Sequence, residues 1–226
     1  TLTTEQFAKD LGTSITPTKS TPFMAMEEYS NEAKAELASF LPENYRDSFI
    51  KKSGAVVDFV FTNVENISQF DWGEVVRAGS KACYRAVQAQ AKSKGVILPD
   101  SASNCFQVAA DQGRGGVITS IDANALNTGE NYLYSQIKAQ RPVGLGVSRP
   151  GGSNLNSDGM TDHYILATGM GKDKQGREFI TFNDPAIREG QENKGEDLRL
   201  YKEGNNWVGV GKKKKTYYLT RIIQAQ

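Results

Sequence analysis

The sequence predicts an α+β fold: a helical N-terminal part followed by an antiparallel β-sheet. Two observations carry this. Apolar residues recur at helical spacing through the first part of the chain, and after about residue 140 they collect into short runs separated by Gly-, Asn- and Lys-containing turns. The chain has 226 residues, 38% of them hydrophobic and 9% aromatic, enough for one large domain or one domain with a helical prefix. Wholesale disorder is not expected of such a composition.

Residues 1–22 are rich in Thr, Ser and Pro and read as an extended lead-in. From Phe23 to Leu41 the residues Met26, Tyr29, Ala33, Leu37 and Phe40 mark a helix that stops before Pro42. A second helix is expected from about Glu43 to Asn63, carrying Tyr45, Phe49, Val56, Val57 and Val60, with Gly54 as a breaker. Asn63 to Trp72 reads as a connecting loop anchored by Ile67, Phe70 and Trp72. The strongest helix spans Ser80 to Lys94, with Ser80 as N-cap, alanines at 82, 86, 89 and 91, and Gly95 as the stop. Shorter helices are expected at Asn104–Asp111 and Gly129–Ala139. Strands are expected at 142–148, His163–Gly169, Glu178–Phe182 and Thr216–Ile223, with turns at Lys172–Gly176. The domain division that follows is a lead-in and helical prefix at 1–70 and a domain at 71–226.

Charge is balanced, with 27 basic against 26 acidic residues, which argues against nucleic acid as the main partner. The basic run Lys212–Lys215 reads as a solvated hairpin tip. No apolar run approaches the roughly 18 residues of a membrane-spanning helix. An upstream signal or tag is compatible with the start at Thr1. Two cysteines are too few for a disulfide framework. With one histidine and no Cys-x-x-Cys, a zinc site would have to rest on carboxylates, so neither metal nor cofactor is expected.

Chemistry concentrates in three places. Cys83 falls in the first turn of the strongest helix, where unpaired backbone amides lower a thiol pKa. A small buried cysteine packed among alanines is the alternative. Cys105, ahead of Phe106-Gln-Val-Ala-Ala, is the rival nucleophile. His163, the chain's only histidine, opens an apolar strand behind a loop rich in Gly, Ser and Asn. Asn183 and Asp184 end the next strand. Only one of the two can point at His163, because side chains alternate along a strand. Hydrogen bonding from either would fix the imidazole so that it pairs with a thiolate.

His163-Tyr-Ile-Leu-Ala-Thr-Gly, a turn, and Phe179-Ile-Thr-Phe-Asn-Asp-Pro resemble the His and Asp blocks of leader-peptide peptidases of bacteriocin transporters. Gly79-Ser-Lys-Ala-Cys-Tyr-Arg-Ala-Val resembles the cysteine block of CHAP-type amidases and of type VI secretion amidase effectors. Both groups are papain-like cysteine hydrolases. The likeness covers roughly residues 79–95 and 140–186, and it implies a papain-like fold. It also implies Cys83 as nucleophile, His163 as base, and Asp184 as orienting residue, or Asn183 if the site is closer to papain. Arg77 stands six residues before Cys83, where such peptidases carry an oxyanion-hole Gln; Gln69 is a remote substitute. The backbone amide of Cys83 is the first oxyanion donor.

The expected activity is cleavage of an amide bond, most naturally in peptidoglycan stem peptides, by a protein secreted or delivered to the bacterial periplasm or cell wall. A protein inhibitor or immunity partner fits that setting. The alternatives are a peptidase cutting polypeptides after small residues and a non-enzymatic binding module in which Cys83 is core.

Overall fold

The computed structural model describes residues 58–70, 81–110, 118, 120–149, 156, 158–173, 175–188, 198–211 and 214–226. The chain divides into two compact units, residues 1–59 with 171–176 and residues 60–170 with 177–226. Nearly all of the described strands and helices fall in the second unit.

Ten strands and two helices are described. They run β1 (Asp58–Phe61), α1 (Ala82–Lys92), β2 (Cys105–Gln107), β3 (Ala109–Ala110), β4 (Ser120–Ile121), α2 (Ala123–Lys138), β5 (Val143–Ser148), β6 (His163–Lys172), β7 (Glu178–Asn183), β8 (Arg199–Glu203), β9 (Asn206–Val210) and β10 (Thr216–Ile223). Strands β6, β5, β10, β9, β8 and β7 hydrogen-bond in that order, and β7 pairs back to β6. The result is a closed six-stranded antiparallel barrel, which leaves few free sheet edges. β1 adds beside β6 and β2 beside β10, while β3 and β4 form a separate two-stranded sheet.

Period-two alternation sorts the side chains of β6. Ile165 and Ala167 enter a core with Leu145, Ile180, Leu200, Trp207, Tyr217 and Leu219, and Leu133 and Ile137 of α2 join it. Tyr164 and Leu166 point the other way and pack on Tyr84, Val87 and Ala91 of α1. Both faces of β6 are therefore covered, which is why His163–Gly169 reads as an almost continuous apolar run. Each fully buried aliphatic or aromatic side chain contributes about 1.5–3 kcal/mol relative to exposure.

α1 starts at Ala82, with Lys81 in the cap position and no side-chain cap, so Ser80 is not the N-cap. It ends as the sequence suggests, with Gly95 at φ 69° just beyond its last turn. α2 is capped by Asp122, whose carboxylate accepts from the backbone N–H of Asn124 and Ala125, both at 2.9 Å.

β10 contains a bulge. Leu219 pairs with Val147 and Arg221 with Gly146, so Thr220 is an extra residue. A regular strand would keep Arg221 on the face of Tyr217 and Leu219. Instead Ile222 takes the core position, and Arg221 turns outward.

The α+β, papain-like architecture is corrected by these observations. The described residues are mostly β, with two helices enclosed among strands rather than a helical part preceding a sheet. Residues 58–61, expected at the end of a helix, form β1. Residues 104–111, also expected to be helical, hold β2 and β3 instead. Their apolar spacing is too short to distinguish the two periods, and pairing with β10 decides the matter. Strands β8 and β9, unread in the sequence, form a hairpin whose turn uses Gly204 at φ 58°. The helix expected at 23–41 and most of that expected at 43–63 lie outside the described residues. Among the described residues no helix is long and apolar enough to cross a membrane.

Candidate active site

α1 delivers Cys83 as its second residue. The first helical hydrogen bond runs from Arg85 N–H to Lys81 O at 3.0 Å, which leaves the preceding amides of the turn unpaired within the helix. The His163 ring and the backbone N–H groups of Tyr84 and Tyr164 lie close enough to the Cys83 thiol to favour its ionised form. His163 is the first residue of β6, so its ring lies at the strand's end, within reach of a helix packed on the opposite face. Cys83 is only partly buried, whereas His163 is 2% exposed. Cys83 is thus the less buried residue of the pair.

His163 Nε2 lies 2.8 Å from Asp184 Oδ1, which leaves Nδ1 as the ring nitrogen facing sulfur. Asp184 is fully buried and well supplied with donors. Its Oδ1 accepts from Ala186 N–H at 2.8 Å, an Asx-type turn, and its Oδ2 accepts from Tyr217 O–H at 2.8 Å. Residues 66–69 hold this turn in place. Asn66 Nδ2 donates to Asp184 O, and Ser68 Oγ and Gln69 N–H both donate to Pro185 O. Tyr217 also lies against the imidazole, with ring centroids 5.7 Å apart.

Electrostatics follow from this geometry. Burial opposes charge on His163, but the adjacent Asp184 carboxylate, its hydrogen bond and Cys83 together raise the imidazole pKa to about 9. Burial likewise opposes charge on Asp184, and His163 with the Ala186 and Tyr217 donors overrides it, bringing the carboxyl to about 2. At Cys83, burial raises the thiol pKa while His163 and the two backbone amides lower it further, so the net shift is downward. The arrangement favours a thiolate–imidazolium pair on a buried carboxylate.

Cys83, His163 and Asp184 thus come together, and Asn183 does not join them. The Asn183 side chain turns away and donates to Val64 O at 2.8 Å and to Gln90 Oε1 at 3.2 Å. Cys105 lies on β2, and burial, as the largest effect, raises its pKa. Arg77 lies outside the described residues, and the oxyanion donor beyond the Cys83 amide is unassigned. Sequence reasoning missed Tyr217. Its alternation with Leu219 places it inside, and a buried phenol needs a partner, but nothing local in the sequence names Asp184 as that partner. Among the described residues no three His, Cys, Asp or Glu side chains gather as metal ligands.

No protein-family model matches this chain, and no curated protein matches it.

Proposed function

We propose that this chain is a cysteine hydrolase that cleaves an amide bond. The gathering of Cys83, His163 and Asp184, with His163 hydrogen-bonded to Asp184 and Cys83 the least buried of the three, is the observation that supports this reading most directly. The Cys83 thiolate attacks the carbonyl carbon of the amide. His163, protonated at Nδ1, gives its proton to the departing amine, and a thioester forms on Cys83. His163, now neutral, takes a proton from water, whose oxygen attacks the thioester. The acid product leaves and the thiolate–imidazolium pair returns. Asp184 stays ionised throughout, orienting the ring and stabilising its charge. The Cys83 backbone N–H serves as one oxyanion donor.

The substrate class rests on the resemblance of the cysteine block to wall amidases and of the His/Asp block to leader peptidases. Peptidoglycan stem peptides are the substrate we favour, which places the protein's work in the periplasm or cell wall. A polypeptide substrate is the second reading. Digestion of purified wall fragments by wild type but not by Cys83→Ala, with unchanged circular dichroism, is the expected result. Release of products by both proteins would refute the reading, and cleavage of glycine-rich peptides but not of wall fragments would select the second.

A further inference from the structure

A cleft of about 550 Å³ is lined in part by Tyr84 and Tyr164, which directly follow Cys83 and His163 in the chain; the triad side chains are not themselves among its lining residues. The two rings stand 4.8 Å apart. Apart from these tyrosines, Ala102 and Cys105, each described lining side chain is polar or charged. Such a wall suits a polar peptide rather than an apolar side chain.

Arg221 is the unusual member of this wall. It is 6% exposed, and its Nη2 meets Asp158 Oδ2 at 2.6 Å while Nη1 donates to Ala102 O at 3.2 Å. Its Nε–H is buried and has no partner, an exception among buried polar groups that asks for an explanation. Asp158 does not consume the guanidinium's charge alone. Its oxygens also accept from Met160 N–H, Thr161 N–H, Thr161 Oγ1 and Gln107 Nε2. The Tyr164 hydroxyl lies near Arg221, and burial, as the largest effect, keeps it protonated. Lys81 and Asp100, both exposed, also line the cleft with opposite charges.

Two backbone features place Arg221 there. The bulge at Thr220 turns it out of the barrel. Gly146, opposite it on β5, leaves room for its stem, since a Cβ at Gly146 would collide with Arg221 Cγ.

We propose that Arg221, with the Tyr164 hydroxyl beside it, binds a carboxylate on the substrate. The scissile amide would then belong to a peptide in which a nearby residue keeps its carboxylate free. This rests on the hydrolase reading, and it names a substrate feature that the triad alone does not.

Calorimetric binding to full-length Cys83→Ala tests it without turnover. The probes are a peptidoglycan stem tetrapeptide with free carboxylates and the same peptide with them converted to carboxamides. The free form is expected to bind about 10- to 100-fold more tightly, the range for charge-assisted hydrogen bonds. Adding Tyr164→Phe should shrink that ratio several-fold, and adding Arg221→Lys should shrink it further. Tyr164→Phe keeps the ring and guards against a folding defect in the arginine variant. Equal affinity for the two forms, or no saturable binding of either, overturns the inference. Iodoacetamide labelling of Cys83 in the wild type judges the hydrolase reading separately, so the two failures are distinguishable.

Discussion

The Tyr217 hydroxyl donates to Asp184 Oδ2 at 2.8 Å, on the opposite side of the carboxylate from the oxygen that faces His163 Nε2, also at 2.8 Å. β10 therefore reaches across the barrel to hold the residue that holds the imidazole. Removing that hydroxyl takes a donor from a buried charge, at a cost of about 1–3 kcal/mol. Tyr217→Phe should lower the unfolding free energy by that amount and reduce kcat while leaving KM nearly unchanged. A variant as stable and as active as wild type would remove Tyr217 from the account.

Asp184→Asn keeps the shape of the turn but removes the charge that raises the His163 pKa. The imidazolium becomes less favourable, and the thiolate at Cys83 with it. The variant should lose about 10²- to 10⁴-fold in kcat, the range for acid–base assistance. Its Cys83 alkylation midpoint should also move to higher pH. An unmoved midpoint would mean that Asp184 does not act through His163.

Stability should be bell-shaped in pH. The depressed Asp184 pKa, about 2 against ~3.9 when unfolded, gives a contribution present above ~3.9 and lost as pH falls toward 2. The elevated His163 pKa, about 9 against ~6.5 unfolded, gives one present below ~6.5 and lost as pH rises through 9. Both describe one ion pair and count once. The depressed Cys83 pKa adds a contribution of the opposite sign, gained as pH rises toward the free-thiol value of ~8.5, which offsets the His163 loss between ~6.5 and ~8.5. Urea midpoints measured from pH 3 to 10 should therefore fall as pH drops below ~4 and as it rises past 9, and midpoints that keep climbing past pH 9 would contradict a buried imidazolium.

Asn183 tests the alternation argument. Its amide ties β7 to Val64 O and Gln90, not to the imidazole. Asn183→Ala should therefore lower stability by about 1–2 kcal/mol and leave the pH profile of Cys83 alkylation where it was. If the profile moved as far as in Asp184→Asn, Asn183 would be orienting the histidine after all.

What the sequence revealed and what it hid divide along physical lines. Cys83 on a helix start, His163 at a strand start and Asp184 before Pro185 were legible because each is a local signal: propensity, period and punctuation. The choice between Asn183 and Asp184 was legible only as an exclusion. The overall architecture was misread, because barrel closure between β6 and β7 and the pairing of β2 with β10 are contacts between distant segments. No local period encodes them. Arg221 was hidden for the same reason. Simple alternation on β10 puts it with Tyr217 and Leu219, and the bulge that turns it to the cleft exists only in the pairing with β5.

The most direct test of the central claim is the rate of iodoacetamide labelling at Cys83 and Cys105 as a function of pH, read by mass spectrometry in wild type and His163→Ala. The account predicts that Cys83 labels as a thiolate below pH 7 and loses that reactivity without His163, while Cys105 labels slowly until higher pH. Slow labelling at Cys83 with a midpoint near ~8.5, the value of a free thiol, unchanged in His163→Ala, would contradict it.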